Sequence, residues 1–174
     1  MMRPLKETPR IKIKIAETED FFDLNLCAKE FIDFIDNFKK KFLDKKFFVL
    51  VAYFKKVLAG VLIAEDRAHK IDSLENILPK MYIHLLYVNP KYRGKGLGKD
   101  LLHVFLDVQK KRGVAAVSIK LPQKYKKGIK FFKHFDFTQI SRDVNKVVLE
   151  LKLWNDFGLT DCQSIDEDLF LNEA

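Results

Sequence analysis

Residues 88–98 read Val-Asn-Pro-Lys-Tyr-Arg-Gly-Lys-Gly-Leu-Gly, and this stretch decides the fold class. It puts a turn signal, Asn89-Pro90, and three alternate glycines between an apolar run and an amphipathic segment. Three of the seven glycines in the 174-residue chain are here, at Gly94, Gly96 and Gly98. Glycines between a strand and a helix let the backbone approach a ligand, and the N–H groups converge with the positive end of the helix dipole. The sequence therefore predicts an anion site, typical of phosphate or pyrophosphate.

Two familiar phosphate motifs do not fit this loop. A Walker loop needs a glycine where Arg93 stands, and a Ser or Thr where Asp100 stands. The dinucleotide fingerprint needs a third glycine where Lys99 or Leu101 stands. The loop is therefore expected to bind an anion of another kind.

Working outward from the loop, the hydrophobic pattern predicts strands and helices in mixed order. Leu24 to Phe38 carries an apolar stripe at helical spacing after an N-cap at Thr18, and further helices are expected over 97–113 and 128–135. The predicted strands are 11–15, 47–54, 57–64, 81–88, 114–121, 137–140 and 147–153. This order predicts an α/β fold, with a mixed central sheet of about six to seven strands and helices on both faces. Strands 81–88 and 114–121 should run parallel on either side of the central helix.

Charge divides the chain into two parts. The 32 basic residues all lie within 1–153, which we interpret as a single domain, against 18 acidic ones there, for a formal charge of +14. Residues 154–174 hold six acids and no base, and form an acidic tail. A basic domain suits an anionic partner, or its lysines serve only to keep an aromatic-rich domain in solution. The tail is a candidate for docking on the basic domain.

Several classes of protein are excluded by composition. With 48% hydrophobic and 32% charged residues, the chain is neither disordered nor a membrane protein, and no apolar run approaches the roughly 18 residues of a membrane span. Cys27 and Cys162 make neither a disulfide framework nor a metal site. The charged start does not fit a signal peptide. A cytoplasmic protein is expected, without a metal or a membrane partner, and a homodimer is left open.

Residues 88–98 resemble the acetyl-CoA loop of the GNAT superfamily of N-acetyltransferases. That loop reads Arg or Gln, two residues, Gly, one residue, and Gly or Ala, which matches Arg93, Gly96 and Gly98. The preceding strand that ends in Val-x-Pro and the following helix also match, and the resemblance extends over residues 11–153. It implies a GNAT-like sheet with parallel strands that splay around the cofactor, and acetyl-CoA as the acyl-donor substrate.

The resemblance also implies which residues meet the cofactor. The loop amides would cradle the pyrophosphate, and the strand before the loop would pair with the pantetheine arm. The residues expected to bind the cofactor are Leu86, Tyr87, Val88, Arg93, Gly94, Lys95, Gly96, Leu97, Gly98, Lys99 and Phe132. Four lysines between 124 and 130 either meet the 3′-phosphate or form a solvated face.

Acetyl transfer to an amine needs a base that makes the amine neutral. His84 lies four residues before Val88, where some family members place a catalytic histidine, although the same position suits a hydrogen-bonded core histidine. Glu65 and Asp66 are alternative bases. Phe132 stands where the family commonly has a tyrosine that protonates the departing thiolate. Tyr125 is the candidate donor, although it would lie about 10 Å along the helix from that position.

The leading hypothesis is an enzyme, an N-acetyltransferase that moves an acetyl group from acetyl-CoA to an amine acceptor, either a small molecule or a protein. A catalytically weak or silent CoA-binding regulator is the alternative, because Phe132 lacks a hydroxyl. A basic nucleic-acid-associated protein is less favoured, because the sequence has no zinc pattern and no RNA-binding aromatic signature. Nucleic acid is therefore not expected as a partner.

Overall fold

The computed structural model describes residues 6–7, 11–67 and 79–154 of the chain. Seven strands of five or more residues and one two-residue strand form a single mixed sheet, in the order β1-β2-β3-β4-β5-β6-β8-β7. The strands are β1 (Lys6–Glu7), β2 (Ile11–Ile15), β3 (Phe47–Phe54), β4 (Val57–Asp66), β5 (Lys80–Val88), β6 (Ala116–Pro122), β7 (Thr138–Arg142) and β8 (Lys146–Lys152). The predicted fold class is confirmed.

Four α-helices cover the two faces of the sheet within the described ranges. They are α1 (Phe21–Ile32), α2 (Phe38–Leu43), α3 (Leu97–Lys111) and α4 (Lys126–His134). Leu24, Phe38 and Phe42 pack with one face of β3 and β4, while Leu101, Phe105 and Phe132 pack on the other face. The alternation of side chains along each strand separates these two cores.

The first predicted helix differs from the structure at both ends. Thr18 is not the N-cap, because the chain turns first through a short 3-10 segment in which the Asp20 carboxylate accepts the backbone N–H of Glu17 at 2.8 Å. The apolar stripe also does not form one helix. The helix ends at Ile32, and Asn37 takes a left-handed conformation (φ 54°) before α2 begins. Asparagine tolerates that conformation, so the stripe bends into two helices.

Asp20 joins the first helix to the sheet. Its side chain is buried, and its carboxylate lies 2.9 Å from the Tyr53 hydroxyl and 3.1 Å from Lys14 Nζ. The same hydroxyl lies 2.9 Å from the Asp23 carboxylate. Burial and these two carboxylates raise the pKa of Tyr53. The phenol therefore keeps its proton, and its O–H is a hydrogen-bond donor that the two carboxylates share. The N-terminus of α1 is thereby held against β2 and β3.

The parallel pairing of β5 with β6 stops halfway along β5. Register runs from Lys80 opposite Ala116 to Ile83 opposite Ile119, and no further pair follows. On its other side, β5 stays paired with β4 as far as Val88. A gap therefore opens between β5 and β6 beyond Ile83, as the resemblance implied for the splayed strands.

Gly60 allows α3 to pack close to the open end of this gap. A Cβ at this position would lie 2.9 Å from Leu101 Cδ1 and 3.2 Å from the Tyr87 carbonyl oxygen. Both distances are too short for an ordinary contact. The absence of a side chain thus sets how closely the helix after the glycine loop approaches β4 and β5.

Two parts of the chain lie outside the described residues: residues 68–78, and the acidic tail from residue 155, including Cys162. Within the described part, no helix is both long enough and apolar enough to cross a membrane.

Gln109 is the polar exception in the core on the α3 face. Its side chain is 0% exposed, and no described residue gives Nε2 or Oε1 a hydrogen-bond partner. A buried amide without partners costs about 1–3 kcal/mol, because both of its polar atoms lose water and gain nothing. Gln109 therefore reduces the stability of this core.

Replacing Gln109 with methionine, which has a similar shape and no hydrogen-bonding need, should raise the free energy of unfolding by about 1–3 kcal/mol. Urea unfolding would measure the difference. Gln123→Met, at a half-buried position outside the core, is the control and should not stabilise the chain. A destabilised Gln109→Met protein would mean that the amide is satisfied in solution.

Candidate active site

The glycine loop presents a row of unpaired backbone donors. Gly94 and Gly96 both have φ near +80°, a conformation that side chains disfavour, and Gly96 is the N-cap of α3. Among the described residues, none of the six N–H groups from Gly94 to Lys99 donates to a backbone carbonyl. The first intrahelical bond of α3 is donated by Asp100 to Gly96. These amides are free for an anion, which fits a pyrophosphate.

Arg93 joins the loop to the end of β5 through its side chain. Its Nε donates to the carbonyl oxygen of Val88 at 2.8 Å, and its guanidinium lies 5.8 Å from the centre of the Tyr87 ring. The Tyr87 ring in turn contacts Phe31 of α1, at 5.2 Å between ring centres. The loop, β5 and α1 are thus held together at the mouth of the gap.

His84 lies at a β-bulge beside the last parallel pair. Ala64 pairs with Ile83 and Ile63 pairs with Leu85, so His84 is the extra residue of β5. The bulge puts the His84 and Leu85 side chains on the same face of the sheet, where His84 contacts Phe47 and Leu85 packs in the α1 and α2 core. The imidazole is thereby placed at the point where the gap begins.

His84 and Glu65 form a hydrogen-bonded pair, with 2.7 Å between Nε2 and Oε2. The other oxygen of Glu65 accepts a hydrogen bond from Lys41 Nζ of α2, at 3.4 Å. Both members of the pair keep less than a fifth of their side-chain surface exposed, 19% for His84 and 16% for Glu65. Two residues that the sequence offered as alternative bases are therefore a single unit.

The two pKa shifts fix the charge of this pair. Burial lowers the pKa of His84. The hydrogen bond to Glu65 and the charge of Glu65 raise this pKa, but their effect is smaller, and the charges of Arg67 and Lys41 lower it further. Burial raises the pKa of Glu65, but the His84 hydrogen bond and the charges of Lys41, His84 and Arg67 bring it below its ordinary value. Near neutral pH, the pair is therefore a neutral imidazole and a carboxylate.

This charge state determines which ring nitrogen can act as a base. An ionised carboxylate only accepts hydrogen bonds, so Nε2 of the neutral imidazole must donate to Glu65. Nδ1 then carries the lone pair. Within the described residues, no group donates to Nδ1, which leaves it available to a proton from outside.

Tyr82 and Arg67 lie on the same face of the sheet as His84. The Tyr82 and His84 rings meet edge to face, 4.8 Å apart, and the Arg67 guanidinium lies 3.8 Å from the centre of the Tyr82 ring. Burial raises the pKa of Tyr82, with Glu65 adding to this effect and Arg67 opposing it, so its hydroxyl is a donor at neutral pH. The pair at His84 thus has a second polar group beside it.

Phe132 and Tyr125 lie in different surroundings. Phe132 is 4% exposed and packs on Phe131 and Phe137, so its ring serves the core and has little surface for a cofactor. Tyr125 is the N-cap residue of α4, half exposed, with its ring over Gly128. Since it follows the end of β6, Tyr125 is at the open end of the gap, whereas His84 is at the closed end. Its role as a donor remains a prediction.

The lysines proposed for the 3′-phosphate are all exposed and follow β6 on α4 or just before it. Within the described part of the chain, they form no ion pair. These residues are Lys124, Lys126, Lys127 and Lys130. Their placement is compatible with either of the two interpretations made from the sequence.

A wide surface cleft of about 930 Å³ lies elsewhere, on the outer side of α1 and α2. Phe22, Leu26 and Leu43 line it, and it contains neither the loop amides nor His84. This cleft is therefore separate from the candidate site.

Comparison with known families agrees with this geometry. The family whose sequence pattern matches residues 14–137 is the Acetyltransferase (GNAT) family. The chain belongs to this family. It is accordingly an acetyl-CoA-dependent N-acetyltransferase by family, with acetyl-CoA as the acyl donor. The resemblance carried by the glycine loop is confirmed. Comparison with the sequences of curated proteins gave no match.

Solved structures share the fold at low sequence identity. The ribosomal-protein-S18-alanine N-acetyltransferase of Escherichia coli is 17% identical, with a TM-score of 0.65 over 82% of this chain and 94% of that one. NAA60 of Arabidopsis thaliana with acetyl-CoA is 14% identical, with a TM-score of 0.69 over 82% and 98%. PaiA N-acetyltransferase of Thermoplasma acidophilum with coenzyme A is 20% identical, with a TM-score of 0.61 over 82% and 98%.

The pairing of Glu65 with His84 and the position of Arg67 were not predicted from the sequence. Both depend on the register of β4 with β5, in which Glu65 lies opposite Tyr82, next to His84. The segment between the two strands gives no turn motif that would fix this register. The only available signal was the pair of acidic residues at the end of the hairpin.

The His84 imidazole should titrate below the ordinary histidine pKa of about 6.5 in an NMR pH titration. Glu65→Gln should lower the midpoint further, because it removes the charge that favours the imidazolium ion. Lys41→Met should raise it, because it removes a repelling cation. A midpoint at or above the ordinary value in the wild type would contradict the assigned charge state.

Proposed function

We propose that this enzyme transfers the acetyl group directly to an amine acceptor, with His84 as general base and Glu65 as the residue that orients it. The observation that carries the proposal is the 2.7 Å contact between Nε2 and Oε2 at the closed end of the gap. This contact leaves Nδ1 as the acceptor of a proton. An imidazole in this state suits proton abstraction near neutral pH.

The described residues suit acetyl-CoA in three ways. The N–H groups of Gly94 to Lys99 are free for the pyrophosphate, and the gap beyond Ile83 leaves one edge of β5 without a β6 partner. Gly94 and Gly96 have the positive φ that such a loop requires. Leu86, Tyr87 and Val88 line the unpaired part of β5 and would hold the pantetheine arm. When bound, acetyl-CoA supplies a thioester, an activated acetyl group.

The reaction balances with the groups described. Nδ1 of His84, directly or through a water, takes the proton of the acceptor ammonium group. The neutral nitrogen then forms a bond to the acetyl carbon while the carbon–sulfur bond breaks. The sulfur leaves as a thiolate and takes a proton from solvent or from Tyr125, which solvent then reprotonates. The acetylated nitrogen loses its second proton to solvent, which gives the neutral amide. Glu65 keeps the imidazole in the required tautomer and stabilises the imidazolium ion that forms.

The acceptor is an amine that approaches from the face carrying α1 and α2, because the polar groups of the pair lie there. Two structural neighbours carry peptide or protein acceptors by name: the Escherichia coli enzyme, named for ribosomal protein S18, and Arabidopsis thaliana Naa50 with a CoA-peptide analogue. Their likeness supports a protein or peptide amine as the acceptor, with small amines as the alternative.

A silent CoA-binding regulator is the second candidate. The observation behind it is the buried Phe132 in place of a hydroxyl-bearing residue. Thiol release from acetyl-CoA with a panel of amino acids, polyamines and peptides separates the two. Binding of acetyl-CoA without thiol release for any amine would favour the regulator.

Acetyl-CoA should raise the melting temperature of the wild type, because it binds only the folded state. Gly96→Ala should abolish most of this rise, since a side chain would enter the loop that must approach the pyrophosphate. Gly113→Ala is a matched control, because Gly113 has the same φ of +80° and equally open surroundings at the other end of α3. Both variants should lose similar stability without ligand. An equal loss of the acetyl-CoA effect in both would contradict the assignment of the loop.

His84→Gln should reduce kcat by about 10²–10⁴-fold, the usual contribution of a general base. The melting-temperature rise with acetyl-CoA should remain, because the loop is unchanged. Thiol release would be measured against His103→Gln, which makes the same change at an exposed position of α3 and should retain full activity. A His84→Gln enzyme with wild-type kcat would exclude His84 as the base.

A further inference from the structure

Arg67 lies close to the proposed base, and among the described residues its side chain forms no ion pair. It follows the last residue of β4, and its backbone N–H donates to the Lys80 carbonyl oxygen at 2.9 Å, which ties it to the start of β5. Its guanidinium carbon lies 3.8 Å from the centre of the Tyr82 ring, a stacked arrangement that holds the planar group in one orientation. Arg67 is therefore held at the edge of the acceptor face.

Two half-buried lysines on this side of the sheet are paired with carboxylates. Lys14 lies 3.1 Å from Asp20, and Lys41 lies 3.4 Å from Glu65. Among the described residues, the Arg67 guanidinium has no carboxylate within ion-pair distance, and its buried Nε has no hydrogen-bond partner. A buried donor without an acceptor costs free energy that a ligand can recover. This unpaired state indicates a ligand with an acceptor group.

The guanidinium determines which acceptor group of a ligand would suit Arg67. Its parallel N–H groups match the two oxygens of a carboxylate, which form two charge-assisted hydrogen bonds with it. The surroundings also disfavour a polycationic acceptor, because Lys41 and Arg67 both lie close to the pair. An amine that carries a negative group satisfies both observations.

We propose that Arg67 binds a side-chain carboxylate of the acceptor, so that the preferred substrates are amines with an acidic side chain a short distance from the reacting nitrogen. The inference rests on the proposed function, because it takes His84 as the place where the amine reacts. Arg67 is thus a specificity-determining residue. Its role is to select and position the acceptor.

The spacing limits how far apart the two groups of the acceptor are. Tyr82 lies between them, with its ring centre 3.8 Å from the guanidinium and 4.8 Å from the imidazole centre. Together these distances set an upper limit on the separation of the two groups, of about two to three residues of extended chain at about 3.3–3.6 Å each. A free acidic amino acid and a peptide with an acidic residue next to its N-terminus are the two sources of such a carboxylate.

The experiment measures binding, without turnover, by calorimetry of the full chain saturated with coenzyme A. Two matched pairs serve as probes: glutamate against glutamine, and a tetrapeptide with glutamate as its second residue against the same peptide with glutamine there. The wild type should bind the member with the glutamate side chain in one pair about tenfold more tightly or better, the scale of a hydrogen bond to a charged group. The pair that shows this preference identifies the source.

Arg67→Gln should abolish the preference while leaving the affinity for the glutamine member within about twofold. Arg112→Gln is the control, because Arg112 also stacks on an aromatic ring, at 5.4 Å from Phe48, but on the opposite face of the sheet. It removes the same charge and should keep the preference. Comparing the two members of a pair also cancels any effect of Arg67 on His84.

Three results would overturn the proposal: equal affinity for the members of both pairs, no binding of any probe, or a preference that survives Arg67→Gln. The proposed function fails separately. A wild type that prefers the carboxylate probe but never releases thiol from acetyl-CoA would contradict acetyl transfer and leave the carboxylate site in place.

Discussion

The early end of the β5–β6 ladder is the constraint on which the site depends. Parallel strands that stop pairing after Ile83 leave a gap, and the residues of the candidate site are arranged around it. The loop amides lie at its open end and His84 at its closed end. Gly60 lets α3 approach closely enough to aim the helix N-terminus at the same gap. A sheet paired along its whole length would leave no room for a thioester between these strands.

Charge at the closed end is balanced within a small group of residues. Burial alone would leave a histidine with no orientation and a carboxylate reluctant to ionise. The hydrogen bond between His84 and Glu65, together with Lys41, keeps the carboxylate ionised and one imidazole nitrogen free. Burial and the nearby cations then hold the pKa of the imidazole low, so the imidazole is neutral near neutral pH. The contacts of Glu65 with His84 and Lys41 thus both hold α2 against the sheet and set the charge state of the imidazole.

Most of the fold could be predicted because strand alternation and helical spacing are local patterns. The seven longer strands, the central helix after the glycine loop and the parallel pair all follow from such patterns. The failures occurred where a local conformation interrupted a pattern. Asn37 breaks the first apolar stripe, and Asp20, a buried carboxylate with several donors, replaces Thr18 at the start of the helix. The candidate site was predicted only in part, since His84 and Glu65 appeared as alternatives.

The sequence by itself determined the glycine loop, its position between a strand and a helix, and hence the anion it suits. The reason is that glycines at alternate positions free the backbone wherever the chain packs. Only the tertiary structure decided which side chains meet across the sheet. The bulge at His84 and the register of β4 with β5 bring Glu65, Tyr82 and Arg67 to one face. Register depends on how the two cores pack around long connections, and that information is spread over the whole chain.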